Sequence, residues 1–263
     1  MNITNDIITA YLNSLYQCDN EQLLELRAFA EEKRVPVILK DTESFLMSIL
    51  KIKKPVNLLE IGTAIGYSAC CFADGCGCHV TTLESDEEAY KIALSNVENL
   101  GFSEQIDVVY GDAREILQQM GYWLKKREED PADEGDGETE GLFDAVFIDA
   151  AKSHYREFWD LAVPLCTDDA LVICDNVLMK GMTASDQYDQ KRRYKTSIRK
   201  MREFIKYIND LDYADTCILP VGDGISMSVI DRSKALAAME TAHQGKADDV
   251  MANDGVEHTM ELE

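Results

Sequence analysis

Apolar residues recur at helical spacing over the first forty positions: Ile7, Ile8, Tyr11, Leu12 and Leu15, then Leu23, Leu24, Leu26, Ala28 and Phe29. This pattern predicts two helices interrupted near Asp19-Asn20, where short polar side chains favour caps and turns. Val35-Pro36-Val37-Ile38 is too short and proline-punctuated to continue a helix. A third helix is predicted from about Thr42 through Ile52, with Phe45, Leu46, Ile49 and Leu50 on its inner face.

Beyond that point strands and helices alternate. Strands are predicted at Asn57 to Ile61, His79 to Glu84, Ile106 to Tyr110, Phe143 to Ile148 and Ala170 to Cys174. Helices are predicted to start over Ser68 to Ala73 and to run from Asp86 to Leu100, Tyr155 to Val163 and about Lys191 to Leu211. Such alternation implies a parallel sheet with right-handed crossovers. Thr216 to Leu219 and Gly224 to Ile230 flank Pro220-Val221-Gly222-Asp223-Gly224, which has hairpin turn chemistry. The expected fold class is α/β, a seven-stranded mostly parallel sheet with an antiparallel terminal hairpin and helices on both faces. We expect an N-terminal helical cap over 1–53 and a main domain over 54–232. An acidic solvated insertion at about 126–141 and an acidic, disordered tail over 233–263 complete the division.

Composition narrows the class. No apolar run approaches the roughly 20 residues that span a bilayer, and the N-terminus lacks a basic start with an apolar block. A cytoplasmic location and no membrane partner are therefore expected. The chain has eight cysteines, of which Cys70 and Cys71 are adjacent in a predicted helix while Cys166 and Cys174 border strand-like sequence. No second thiol pair stands at zinc spacing from Cys76-Gly77-Cys78-His79, so free thiols in a reducing compartment are expected. The net charge of −23 is uneven: residues 126–141 hold eight acids against two bases, and 231–263 eight against three. Bulk charge opposes nonspecific nucleic-acid binding without excluding a local basic surface.

Candidate chemistry begins at Leu58-Leu59-Glu60-Ile61-Gly62-Thr63-Ala64-Ile65-Gly66-Tyr67-Ser68, an apolar run that ends in an acid and opens into a glycine-spaced loop. This is the pattern of a parallel strand cleared at its C-terminal end for a nucleoside, with the free N–H groups of a following helix able to hold an anion. The spacing is not that of a dinucleotide fingerprint. Glu84, at the end of the second strand, can accept hydrogen bonds from ribose hydroxyls. Gly111-Asp112-Ala113 reaches the same crevice, where backbone groups or Asp112 could meet an adenine. Asp149-Ala150-Ala151-Lys152 after the fourth strand and Asp175-Asn176 after the fifth bring two carboxylates and an amide oxygen to one side of the sheet. Oxygen-only donors favour magnesium or calcium over zinc, and Lys152 can point at a substrate held by that ion.

These residues resemble the cation-dependent, S-adenosylmethionine-dependent O-methyltransferases related to catechol and caffeoyl-CoA methyltransferases. The matching segments are Glu60 to Ser68, Glu84, Phe147-Ile148-Asp149-Ala150-Ala151-Lys152-Ser153-His154-Tyr155, Asp175-Asn176-Val177-Leu178 and Pro220-Val221-Gly222-Asp223-Gly224-Ile225, in the expected order over roughly 35–230. Val35 to Ile38 and the loop Gly62 to Ser68 look most like the bacterial branch that methylates 5-hydroxyuridine at the tRNA wobble position. The resemblance implies a Rossmann-like class I methyltransferase fold. It implies that Gly62, Ser68 and the loop amides bind the methionine end of S-adenosyl-L-methionine, with Glu84 on the ribose, Asp112 and Ala113 at the adenine and Ile38 lining the pocket. It implies Mg2+ on Asp149, Asp175 and Asn176, with Asp149 also near the cofactor amine and Lys152 as base or electrostatic partner of the accepting hydroxyl. A homodimer formed through the N-terminal helices is expected on the same ground. The segment Leu39 to Glu43 departs from the glycine-containing form common in the family, and the acidic insertion and tail are not family features.

For the acceptor, Lys191, Arg192, Arg193, Lys195, Arg199, Lys200, Arg202 and Lys206 stand against the single acid Glu203. A basic excess just after the metal-binding strand suits a tRNA anticodon loop, whose splayed base could enter the site. The expectation is methylation of wobble 5-hydroxyuridine; the alternative is a small catechol-like or caffeoyl-type vicinal hydroxyl substrate.

Overall fold

The computed structural model describes residues 5–129, 141–189 and 193–241. Seven strands form one sheet in the order β3-β2-β1-β4-β5-β7-β6: β1 (Asn57–Ile61), β2 (His79–Glu84), β3 (Ile106–Tyr110), β4 (Phe143–Ile148), β5 (Cys166–Cys174), β6 (Ala214–Leu219) and β7 (Ile225–Ile230). The first five pair in parallel, and β7 lies antiparallel between β5 and β6. The expected α/β class is what the chain adopts. Order reverses at β1 and β4, and ligand crevices of doubly wound sheets open at the C-terminal strand ends beside such a switch.

Eight α-helices are bounded among the described residues: α1 (Asp6–Ser14), α2 (Glu21–Lys33), α3 (Lys40–Lys53), α4 (Tyr67–Cys76), α5 (Glu87–Asn99), α6 (Ala113–Glu129), α7 (Tyr155–Ala162) and α8 (Lys195–Asp210). Several starts follow from capping chemistry. The Asn20 side chain accepts from the Gln22 and Leu23 amides, and Asp86 accepts from Ala89, satisfying donors that the first turn leaves open. One core lies against α7 and α8 around Trp159, Tyr155 and Phe204. The other lies under α2, α3 and α4 around Leu23, Leu46 and Phe72.

Several boundaries differ from expectation: α8 starts at Lys195 rather than about Lys191, and β6 at Ala214 rather than Thr216. Helix α6 has no predicted counterpart and extends to Glu129, so the insertion expected from 126 begins with helical residues; 130–140 lie outside the described residues. The tail expected from 233 also begins inside the fold, because 232–241 are helical and Ala235 is fully buried; residues 242–263 lie outside the described residues. Strand β5 starts at Cys166 rather than Ala170. Asp168 and Asp169 read as turn residues, and Asp169 does take φ +60°, yet the strand continues through them.

Candidate active site

Ile61 ends β1, and the chain turns through Gly62 to Gly66 before α4 starts at Tyr67. Gly62 has φ +104°, and a methyl group there would fall 2.2 Å from the Asp149 carbonyl oxygen; glycine is the residue that fits both constraints. The Gly62 amide donates to Leu83 (3.0 Å) and the Asp149 amide to Ile61 (3.0 Å), so the ends of β1, β2 and β4 are laced around the loop. One open cavity of about 910 Å³ lies over these ends. All of the residues singled out from the sequence border it: Ile38, Gly62, Ser68, Glu84, Asp112, Ala113, Asp149, Lys152, Asp175 and Asn176.

Their side chains differ in what they leave open. Glu84 Oε1 accepts from the Ser85 and Asp86 amides (2.9 Å each), and Oε2 accepts from Ala64 (2.8 Å). Oε2 thus keeps a lone pair for a ligand hydroxyl. Asp112 takes hydrogen bonds from the Arg114 amide and guanidinium, and Arg114 holds its carboxyl down at about 2. With that carboxylate engaged, an adenine beside it would meet the backbone of 111–113.

Glu60 carries no expected role from the sequence beyond its place in the loop motif. It is fully buried. Its Oε2 accepts from Thr82 Oγ1 at 2.5 Å, and Thr82 in turn shares a hydrogen bond with Thr63. Its Oε1 has no hydrogen-bond partner among the described residues. Burial pushes the carboxyl up to about 8, with Asp149 and Glu84 adding to the effect. Because the folded-state value lies above the unfolded one, the neutral form's contribution is complete below the unfolded pKa of about 4.5 and is lost as pH rises toward 8. Glu60→Gln keeps the shape and neutrality. Its melting temperature should gain on the wild type by several degrees between pH 5 and pH 8 and then stay parallel; parallel curves throughout that window would rule out the buried neutral acid.

Asp149, Lys152 and Asp175 form the second half of the site. The Lys152 ammonium donates to Asp149 Oδ1 (2.7 Å) and to the Tyr155 hydroxyl (2.7 Å). The buried Tyr155 hydroxyl donates in turn toward the carbonyls of Asp175 (2.9 Å) and Ile148 (3.2 Å). Lys152 is thereby fixed between the ends of β4 and β5. Tyr155 belongs to the quoted motif but had no expected role, although its spacing of three from Lys152 is the signal for such a contact. Asp175 is 1 % exposed and accepts from the Asn176 amide (2.6 Å). Burial and the nearby Asp149 carboxylate push its carboxyl up. Asn176 takes φ +56°, an uncommon conformation that Asn tolerates better than most residues.

This donor set fits a hard divalent cation: two carboxylates and an amide, with one carboxylate disfavoured as an anion by its neighbour, a repulsion that a cation would reverse. Among the described residues there is no group of three or more His, Cys, Asp or Glu arranged to hold a metal, so such a cation would need the Asn176 amide and water to complete its shell.

Part of the basic segment is engaged by its neighbours. Arg199 pairs with Glu203 (2.8 Å), and Lys200 donates to the Ser153 carbonyl (3.1 Å). Arg202 holds the carbonyls of Met182 and Thr183 together with Asp186. Lys191 and Arg192 lie outside the described residues. Among the described residues no helix is long and apolar enough to cross a membrane.

The sequence profile of the O-methyltransferase family matches residues 13–230. The chain is 29% identical to the caffeoyl-CoA O-methyltransferase of Petroselinum crispum over 238 residues, covering 86% of this chain and 91% of that protein. It is 28% identical to the caffeoyl-CoA O-methyltransferase of Eucalyptus gunnii, covering 86% and 88%. Among solved structures, a candidate caffeoyl-CoA O-methyltransferase from Staphylococcus aureus superposes with a TM-score of 0.74 at 29% identity, covering 86% of this chain and all of that one.

Proposed function

Because the chain belongs to the O-methyltransferase family, we propose that it moves the methyl group of S-adenosylmethionine to one hydroxyl of a small acceptor with vicinal oxygens, of the caffeoyl type. The carrying observation is that one cavity has the glycine loop on one side and the Asp149–Lys152–Asp175 layer on the other. The likeness to caffeoyl-CoA O-methyltransferases supports this acceptor class over tRNA, which reverses the preference drawn from the basic run.

In this proposal the loop amides and Ser68 hold the methionine end of the donor, Glu84 Oε2 takes a ribose hydroxyl, and Ala113 and Ile38 flank the adenine. Bound there, the donor supplies an electrophilic methyl on sulfur, and methyl transfer then depends on an oxygen nucleophile held in line with the S–CH3 bond. Lys152 Nζ either takes the proton of the accepting hydroxyl or balances the resulting oxyanion. Its two hydrogen bonds, to Asp149 and Tyr155, aim it across the cavity. Asp149, Asp175 and the Asn176 amide would hold a magnesium ion, which would polarise the acceptor's paired oxygens. Residues 54–232 form the catalytic domain in this scheme and 1–53 its cap. The exposed Ile7 and Tyr11 of α1 and Leu15 at its end support a homodimer through the N-terminal helices.

A second acceptor, 5-hydroxyuridine of the tRNA wobble position, is supported by Lys200, which donates to the Ser153 carbonyl next to Lys152. Incubation with magnesium and methyl-labelled S-adenosylmethionine separates the two. Label is expected on caffeoyl-CoA or caffeate. Label confined to tRNA carrying hydroxyuridine would replace the first acceptor with the second.

A further inference from the structure

We propose that Arg27 is a positioning residue for the methyl-donor site, locking together two cavity walls that come from distant parts of the chain. The proposal rests on the donor assignment above. Arg27 lies in α2 and is 4 % exposed, as is Glu43 in α3. Arg27 Nη2 donates to the Ile38 carbonyl (2.8 Å) and to Glu43 Oε2, while Nε donates to the Tyr67 hydroxyl (3.0 Å). The Tyr67 hydroxyl donates to Glu43 Oε2 (2.8 Å), and the Tyr16 hydroxyl to Glu43 Oε1 (2.5 Å). The guanidinium carbon also sits 4.7 Å from the Tyr67 ring centroid and 5.3 Å from that of Tyr16.

Two of these partners border the cavity. Ile38 belongs to the irregular segment between α2 and α3 that forms its N-terminal wall, and Tyr67 opens α4 directly after Gly66 and before Ser68. The segment around Ile38 has no sheet neighbour to hold it, so the bond from Arg27 fixes its main chain. The same guanidinium fixes Tyr67 and so the first turn of α4. Burial raises the Tyr16 and Tyr67 hydroxyls well above the ordinary phenol range, which keeps both as neutral donors. A buried ion pair is weak evidence for stability, since apolar residues of similar bulk often replace it without loss. Here two of its partners, Ile38 and Tyr67, are cavity walls as well as core.

The double variant Arg27→Met/Glu43→Leu keeps apolar bulk and leaves neither charge orphaned. Calorimetric titration with S-adenosylhomocysteine should show affinity weaker by about tenfold, the scale of one lost ordering interaction, with the KM for S-adenosylmethionine rising more than kcat falls. Tyr67→Phe removes only the bridging hydroxyl and should weaken binding in the same direction, so it decides the matter if the double variant does not fold. Leu23→Ala, from the same helix and equally buried, is the stability control. Wild-type affinity in both network variants would overturn the proposal, as would equal weakening in Leu23→Ala at a matched loss of melting temperature. A wild-type chain that binds no S-adenosylhomocysteine would overturn the donor assignment itself and the proposal with it.

Discussion

Lys152→Met should lower the rate of methyl transfer by about 10²- to 10⁴-fold, the span covered by a positioned acid–base group. Affinity for S-adenosylhomocysteine should stay within a few-fold of the wild type. Methionine matches the length of the side chain but can neither take a proton nor face an oxyanion with charge. It also releases Asp149 and Tyr155, whose bonds to Lys152 are both 2.7 Å. Lys152→Arg separates the two roles. Arginine stays charged at any working pH and cannot act as a base, so a rate restored to near wild type assigns an electrostatic role, and a rate as low as that of Lys152→Met assigns the proton transfer. The measurement is initial velocity with labelled donor alongside calorimetric binding. Wild-type turnover in Lys152→Met would remove the lysine from the chemistry altogether.

The parts of this site that were legible in the sequence share a physical cause. Strands β1, β2 and β4 lie inside the parallel part of the sheet, so they read as short apolar runs with sharp ends. Strand β3 is the edge strand and only partly buried, yet its run has equally sharp ends, and all four strands span the residues expected. Polar residues that directly follow such runs, as Glu84, Asp149 and Asp175 do, must emerge at the C-terminal edge. Strand order brings those edges together, which is why every residue so chosen borders one cavity. Helix α6 was missed although Ile116, Leu117, Met120 and Leu124 have helical spacing and pack toward the core, because a highly charged end obscured the period. The Arg27–Glu43 pair was illegible for a different reason. Charged residues on helices are usually solvated, and a contact between positions 27, 43 and 67 leaves no periodic trace in a single sequence. The basic run around α8 is a different case, because charge density along a chain does not say how each cation is used. Arg202 is drawn onto the carbonyls of Met182 and Thr183 and onto Asp186, whereas Arg199 pairs with Glu203 at the exposed face of the same helix.

The glycine loop offers the sharpest test of the geometry, through three substitutions that share a backbone conformation and differ in space. Gly62, Gly66 and Gly77 all have positive φ, +104°, +80° and +64°, so alanine at any of them incurs a conformational cost of order 1–3 kcal/mol. At Gly77 a methyl meets nothing within 4 Å, and at Gly66 it reaches ordinary contact with Ala93 at 3.4 Å. At Gly62 it would sit 2.2 Å from the Asp149 carbonyl oxygen and 2.9 Å from its carbon. Both are backbone atoms, and the adjacent Asp149 amide is tied to Ile61. Neither side can yield without parting β1 from β4, which adds an overpacking cost of about 1–3 kcal/mol. Thermal melting should therefore rank Gly62→Ala as the largest loss, roughly 10 °C for a chain of this size, with Gly66→Ala and Gly77→Ala each losing a few degrees. Because the displaced carbonyl belongs to Asp149, Gly62→Ala should also depress methyl transfer among those molecules that remain folded, whereas Gly77→Ala, far from the cavity, should not. Equal melting losses at all three glycines would mean that the loop and Asp149 are not in the close contact on which the two halves of the site depend.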